Sequence, residues 1–142
     1  MGDKKIYYQR MEVEMKTKIK KIPRQFTVGN KVKFKMKDFG DIFLLPNEQI
    51  TFKTENLAEY DIARKDWGFY ATPSLNGRLK NFGFKAVLIK NVKTKRYFIF
   101  LLEKNKEKEF YKYLNQEGLK IVLWLDNEKK LLELEKMIKD EN

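Results

Sequence analysis

Residues 84–125 read FKAVLIKNVKTKRYFIFLLEKNKEKEFYKYLNQEGLKIVLWL, and this stretch decides the fold class. Ala86-Val87-Leu88-Ile89 is too apolar for a surface element, so Phe84 to Lys90 is expected to be a buried strand. Arg96 to Glu103 is a second one, apolar on both faces through Tyr97-Phe98-Ile99-Phe100-Leu101-Leu102. The link Asn91-Val92-Lys93-Thr94-Lys95 is short enough only for an antiparallel hairpin, since a parallel crossover needs a dozen residues or more. Asn105 then reads as the cap of a helix running to about Gln116, with Phe110, Tyr113 and Leu114 on one face and Gly118 as the stop. Leu119 to Leu125, which carries Trp124 as a core side chain, is expected to be a third central strand. Asp126 or Asn127 caps a last helix with an inward stripe of Leu131, Leu134, Met137 and Ile138.

Working outward, the first half of the chain alternates. Met11, Val13, Met15, Thr17 and Ile19 interleave with Glu12, Glu14, Lys16, Lys18 and Lys20, which is strand periodicity, and Pro23 should end that run. Phe26 and Val28, then Val32, Phe34 and Met36, form two arms about Gly29-Asn30, a pair suited to a two-residue type II′ turn. In that register Lys31, Lys33, Lys35 and Lys37 share one face. A second hairpin is expected from Asp41–Leu45 and Gln49–Lys53 about Pro46-Asn47. From Glu55 the texture changes, neither clean period fits the first half of Tyr60–Phe84, and Ser74 is a candidate N-cap for a short helix carrying Leu75 and Leu79, closed by Gly83.

No repeat, low-complexity tract or linker interrupts the chain. The expectation is one α+β domain over residues 1–142, mainly antiparallel sheet built from hairpins, with a short helix mid-chain and two helices in the C-terminal third. Its parts are a basic β-ribbon (11–37), an irregular segment (55–83) and a ββαβα part (84–140).

Composition excludes much chemistry. Among 142 residues there is no histidine and no cysteine, which removes the Ser-His-Asp triad, the Cys-His dyad, disulfides and the usual zinc sites. Only carboxylate, Lys, Tyr or Arg chemistry remains, so the chain reads as a binding protein rather than an enzyme. No pattern calls for a cofactor or a metal, and no apolar run is long enough to span a membrane. Met1–Arg10 carries no signal-type apolar segment, and a cytoplasmic location is expected.

The net charge of +11 is concentrated near the N-terminus. Residues 1–37 hold twelve bases against three acids, whereas residues 38–142 hold nineteen against seventeen. Between Met15 and Lys37 lie Lys16, Lys18, Lys20, Lys21, Arg24, Lys31, Lys33, Lys35 and Lys37, and no acid at all. Such a block is either a solvated strand face or the footprint of a polyanion, and nucleic acid is the expected partner. Tyr7 and Tyr8 are candidate stacking residues beside it.

The segment 61–78 supports an alternative. Arg64, Trp67, Tyr70, Ser74, Asn76 and Arg78 have the makings of a pocket for a phosphorylated or sugar-like metabolite, and Asp61 with Asp66 is the candidate catalytic carboxylate pair. The plainer reading makes Trp67, Phe69 and Tyr70 core and pairs the arginines with the acids. A third option is a protein–protein module that buries Trp67 against a partner. Sequence sets no oligomeric state.

Overall fold

The computed structural model describes residues 15–139. In it the strand predicted from Phe84 is the centre of the molecule. That strand, β6 (Phe84–Asn91), is flanked on both sides by antiparallel neighbours, β7 (Tyr97–Glu103) and β8 (Leu119–Trp124), in the order β7-β6-β8. Its period-2 alternation supplies two hydrophobic clusters. Phe84 and Ala86 join Ala58 and Leu79 in one, with Tyr60, Leu101 and Leu125 packed around them. Val87 and Ile89 join Leu114 in the other, against Phe100, Phe110, Leu119, Ile121 and Trp124. A strand covered on both faces must be apolar throughout, which is why Ala86-Val87-Leu88-Ile89 shows no polar alternation.

Upstream lie five strands and a short helix. A two-stranded ribbon pairs β1 (Lys16–Val28) with β2 (Phe34–Phe43), and a three-stranded sheet holds β3 (Gln49–Lys53), β4 (Glu59–Lys65) and β5 (Gly68–Ala71), followed by helix α1 (Arg78–Asn81). Helices α2 (Glu107–Glu117) and α3 (Glu128–Ile138) flank β8 in the chain. The architecture is the expected α+β domain, with eight strands in antiparallel sheets and three helices among the described residues.

Several local expectations fail for identifiable reasons. Pro23 does not end β1. The ladder shifts between Ile19 and Arg24, so that Lys20, Lys21, Ile22 and Pro23 face Phe39 alone. A proline inside a bulge costs no rung, because the residues there are already out of register. Gly29-Asn30 is not a two-residue turn: Val28 pairs with Phe34, leaving a five-residue connection that takes Lys31 and Lys33 out of the strand. The Asn30 N–H instead donates to the Glu117 carboxylate at 3.1 and 3.2 Å, so the tip is fastened to the end of α2.

Asp41–Phe43 continues β2 rather than opening a second hairpin, and β3 pairs with β4. Pro46-Asn47 is nevertheless a turn, with Glu48 N donating to Leu45 O at 3.0 Å and Asn47 at a left-handed φ of 70°. Pro then Asn at its centre suits type II geometry, here used to pass between sheets.

The supposedly irregular segment is largely a hairpin, in which β4 and β5 meet with Lys65 opposite Gly68 and only Asp66-Trp67 between them. Its strands were hidden because the half-buried residues of β4 include Glu59, Asp61, Arg64 and Lys65 as well as apolar ones. Ser74 Oγ accepts from Arg78 N at 2.9 Å, although the helix itself starts at Arg78 with Gly77 in the cap position.

Asn105 sits at a left-handed φ of 68° in the turn before α2, and Lys106 takes the cap position. Asn127 does cap α3, accepting from Lys130 N at 3.0 Å. The inward stripe of α3 does not form. Leu131 is half-buried, but Leu134, Met137 and Ile138 are exposed. Nor is β7 buried throughout, because it is an edge strand whose Tyr97, Phe98 and Ile99 are open to solvent. β8 is the opposite edge rather than a central strand, and Trp124 is half-buried. Met11 and Val13 fall outside the described residues, as do Tyr7 and Tyr8.

Removing Ile89, which has no exposed surface, should therefore cost about 2–5 kcal/mol as Ile89→Ala. Leu132→Ala, at an exposed position of α3, should change stability by less than about 0.5 kcal/mol. Urea denaturation of the two variants measures both.

Candidate nucleic-acid interface

The ribbon has two chemically distinct faces. Register and alternation place Phe34, Met36 and Asp38 of β2 with Val28, Phe26 and Arg24 of β1 on one side. This side turns toward the body at the tip, where the Phe34 ring lies 6.5 Å from that of Tyr113 on α2. Burial, with Glu117 adding to it, pushes the Tyr113 phenol above its ordinary pKa. Near the tip Lys35, Lys37 and Phe39 of β2 alternate with that side, and beyond the bulge and Gly40 the residues Asp41 and Phe43 of β2 lie opposite Lys18 and Lys16 of β1. All seven of these residues are exposed. Lys18 Nζ stands 5.7 Å from the centre of the Phe43 ring. Exposed lysines and two exposed phenyl rings thus recur along the ribbon as an outer strip.

The remaining predicted bases are distributed differently. Lys20 and Lys21 are exposed in the bulge. Arg24 lies on the inner side, bonded to Asp38 Oδ2 at 3.0 Å and stacked 4.7 Å from the centre of the Phe26 ring. Lys33 Nζ donates to Gly29 O at 2.7 Å within the tip loop, and Lys31 is exposed beside it. The nine bases thus do not form one face. Four share the outer strip, two sit at the bulge between its halves, and three serve the tip or the inner side.

Gly40 makes this geometry possible. It adopts φ +116°, and a Cβ there would fall 1.9 Å from Lys18 O. Its N–H donates to Asp38 Oδ1 at 3.0 Å. This bond and the Arg24 guanidinium hold the Asp38 carboxyl below the usual carboxylate range.

The alternative residues do not surround a common cavity. Arg64 Nη1 donates to Leu44 O at 3.0 Å, and its guanidinium lies 5.9 Å from the Phe69 ring centre. Trp67 is stacked on Tyr70 at 6.1 Å with an interplanar angle of 25°, and both are exposed rather than core. Asn76 Nδ2 donates to Glu128 Oε1 at 3.3 Å, and Arg78 lies 4.9 Å from the centre of the Phe82 ring. Asp61 accepts from Thr51 Oγ1 at 2.6 Å, whereas Asp66 is exposed in the β4–β5 turn. Their positions are five residues apart along an extended chain, about 16 Å at the strand rise, which is too far for one reacting bond. Among the described residues no acidic cluster could hold a metal ion.

Phe39 and Phe43 are the exposed aromatic residues of the ribbon that sequence inspection missed. The signal was present, since period 2 continued from Lys35 and Lys37 reaches both, but Asp38-Phe39-Gly40-Asp41 resembles a turn.

Because the folded-state pKa of Asp38 is depressed, its contribution to ribbon order is fully present above the unfolded-state pKa. It is lost as pH falls through the folded-state value. The protection of the ribbon amides, measured against their intrinsic exchange rates, should therefore fall on acidification below the usual carboxylate range in the parent protein. In Asp38→Asn that protection should be lower already at neutral pH and depend less on pH across that range. Compared with known proteins, the chain matches no family model, and neither a curated protein nor a solved structure shows significant similarity to it.

Proposed function

We propose that the protein binds single-stranded nucleic acid along the outer face of the β1–β2 ribbon. The observation that carries this reading is the recurrence of exposed Lys16, Lys18, Lys35 and Lys37 and of the exposed rings of Phe39 and Phe43 along the ribbon. Lysines contact successive phosphates without reading sequence, and each phenyl offers a flat surface on which any base can stack. A single strand suits this better than a duplex, whose bases are already stacked on one another. Lys20 and Lys21 extend the basic track through the bulge. Asp41, the one acid on the strip, lies opposite Lys18.

A second reading rests on Trp67, which is 70% exposed, and on its neighbours Phe69 and Tyr70 at the β5 edge. These rings would suit a protein partner. The metabolite reading loses support, because Arg64, Ser74 and Asn76 are each engaged within the fold.

With six phosphate contacts, affinity for a single-stranded oligonucleotide should fall about 300-fold between 50 and 200 mM salt. Joint reversal of Lys35 and Lys37 to Glu should abolish a mobility shift at 50 mM salt, while Lys31→Glu at the tip should leave it nearly intact. Phe39→Ala with Phe43→Ala should weaken binding by about 1–3 kcal/mol per stacked base at an unchanged salt slope. A shift insensitive to Lys35 and Lys37 would refute the assignment.

A further inference from the structure

Away from the ribbon, a cleft of about 440 Å³ is lined by Lys80, Lys85, Lys104, Trp124, Asp126 and Asn127. Its residues come from α1, β6, β8, the turn after β7 and the turn before α3. Backbone bonds fix these elements to one another. Lys104 N donates to Gly83 O at 3.0 Å, just beyond α1, and Leu125 N donates to Ala86 O at 2.9 Å. The lysines are thus carried on a braced framework rather than on a mobile loop. Three lysines and one aspartate are among the lining residues, so the lining has a local charge of +2.

Two features set this cleft apart from a basic patch on an open surface. Lys85 Nζ lies 4.5 Å from the centre of the Trp124 ring, so a cation and a flat apolar surface are presented together. Asp126 Oδ1 is buried and has no hydrogen-bond partner. A buried acceptor left without a donor is costly, and such groups concentrate where a ligand completes the bonding. The torsion about an Asp Cβ–Cγ bond is soft, so a small rotation would bring this oxygen to a donor in the cleft.

We propose that this cleft is a binding site for a nucleoside monophosphate. The phosphate dianion is held by Lys80, Lys85 and Lys104, with Lys85 swinging off the Trp124 ring to reach it, a ribose hydroxyl donates to Asp126, and the base lies against the indole face so uncovered. The volume lies within the range of small-molecule sites, and the polar groups are few and convergent on an aromatic wall. Phosphate alone would satisfy the lysines but leave Asp126 without its donor and as a repulsive neighbour. A nucleoside alone would leave the lysines unneutralised. This site is independent of the ribbon and of the function proposed for it.

Calorimetric titration of the full chain at low salt tests the assignment with adenosine 5′-monophosphate, inorganic phosphate and adenosine as probes. The nucleotide should bind saturably in a one-to-one ratio and more tightly than either fragment. Lys80→Gln and Lys104→Gln alter exposed side chains and should leave the fold intact, yet each should weaken nucleotide binding about tenfold or more. Asp126→Asn should act in opposite directions, strengthening phosphate binding while narrowing the advantage of the nucleotide over phosphate. Joint reversal of Lys35 and Lys37 to Glu should leave nucleotide affinity unchanged. In a Trp67→Phe background Trp124 is the sole indole, and its emission should change on nucleotide addition. Absence of saturable nucleotide binding would overturn the proposal. So would affinity unaffected by Lys80→Gln and Lys104→Gln, or phosphate binding as tight as that of the nucleotide.

Discussion

Everything in this fold hangs on the double burial of β6. Val87 and Ile89 have no exposed surface, Ala86 has almost none, and these neighbours along one strand serve opposite clusters. Burying a side chain of this size contributes about 1.5–3 kcal/mol, so a run of four or five such residues is comparable to the net stability of a small domain. Because β6 is held on both faces, its neighbours have defined places. β7 and β8 pair with its edges, α2 closes one side through Leu114, and α1 with the β4 segment closes the other through Leu79 and Ala58. The buried core is small for a chain of this length, and much of the aromatic content is left near the surface.

The ribbon is the part least supported by that core. An isolated two-stranded hairpin is marginal in water. Here its tip is anchored by the Glu117 carboxylate on the Asn30 amide and by the contact of Phe34 with Tyr113. Midway, Asp38 joins the Arg24 guanidinium on β1 to the Gly40 amide on its own strand. These ties act on the inner side and at the end, so they constrain the ribbon without covering the outer strip.

The α+β class and the C-terminal half were legible in the sequence wherever one residue pattern answered to one environment. Ala86-Val87-Leu88-Ile89 reads as a buried strand, and Asp126-Asn127 before an apolar helical period marks a cap at one of the two. Errors arose where long-range packing chose between equal local options. Nothing local says that Gly29-Asn30 will be held by a glutamate 87 residues away, or that β3 will pair forward with β4 rather than back with β2. The exposure of Tyr97, Phe98 and Ile99 was equally invisible, since edge or centre is a property of the whole sheet. The candidate interface was half legible, in that its lysines stood out by charge while Phe39 and Phe43 were masked by turn-like neighbours. The cleft at Trp124 could not be read at all, because its lining spans residues 80–127 with no common period.

The bulge at Lys20-Lys21-Ile22-Pro23 also bears on what the ribbon avoids. A two-stranded sheet exposes two open edges, and an open edge can recruit a strand from another copy and nucleate aggregates. Pro23 deletes one donor from the β1 edge, the bulge breaks its straight run, and two adjacent lysines repel an identical strand brought alongside. The same residues that interrupt the ladder therefore work against edge-to-edge growth of a long, exposed and partly apolar arm.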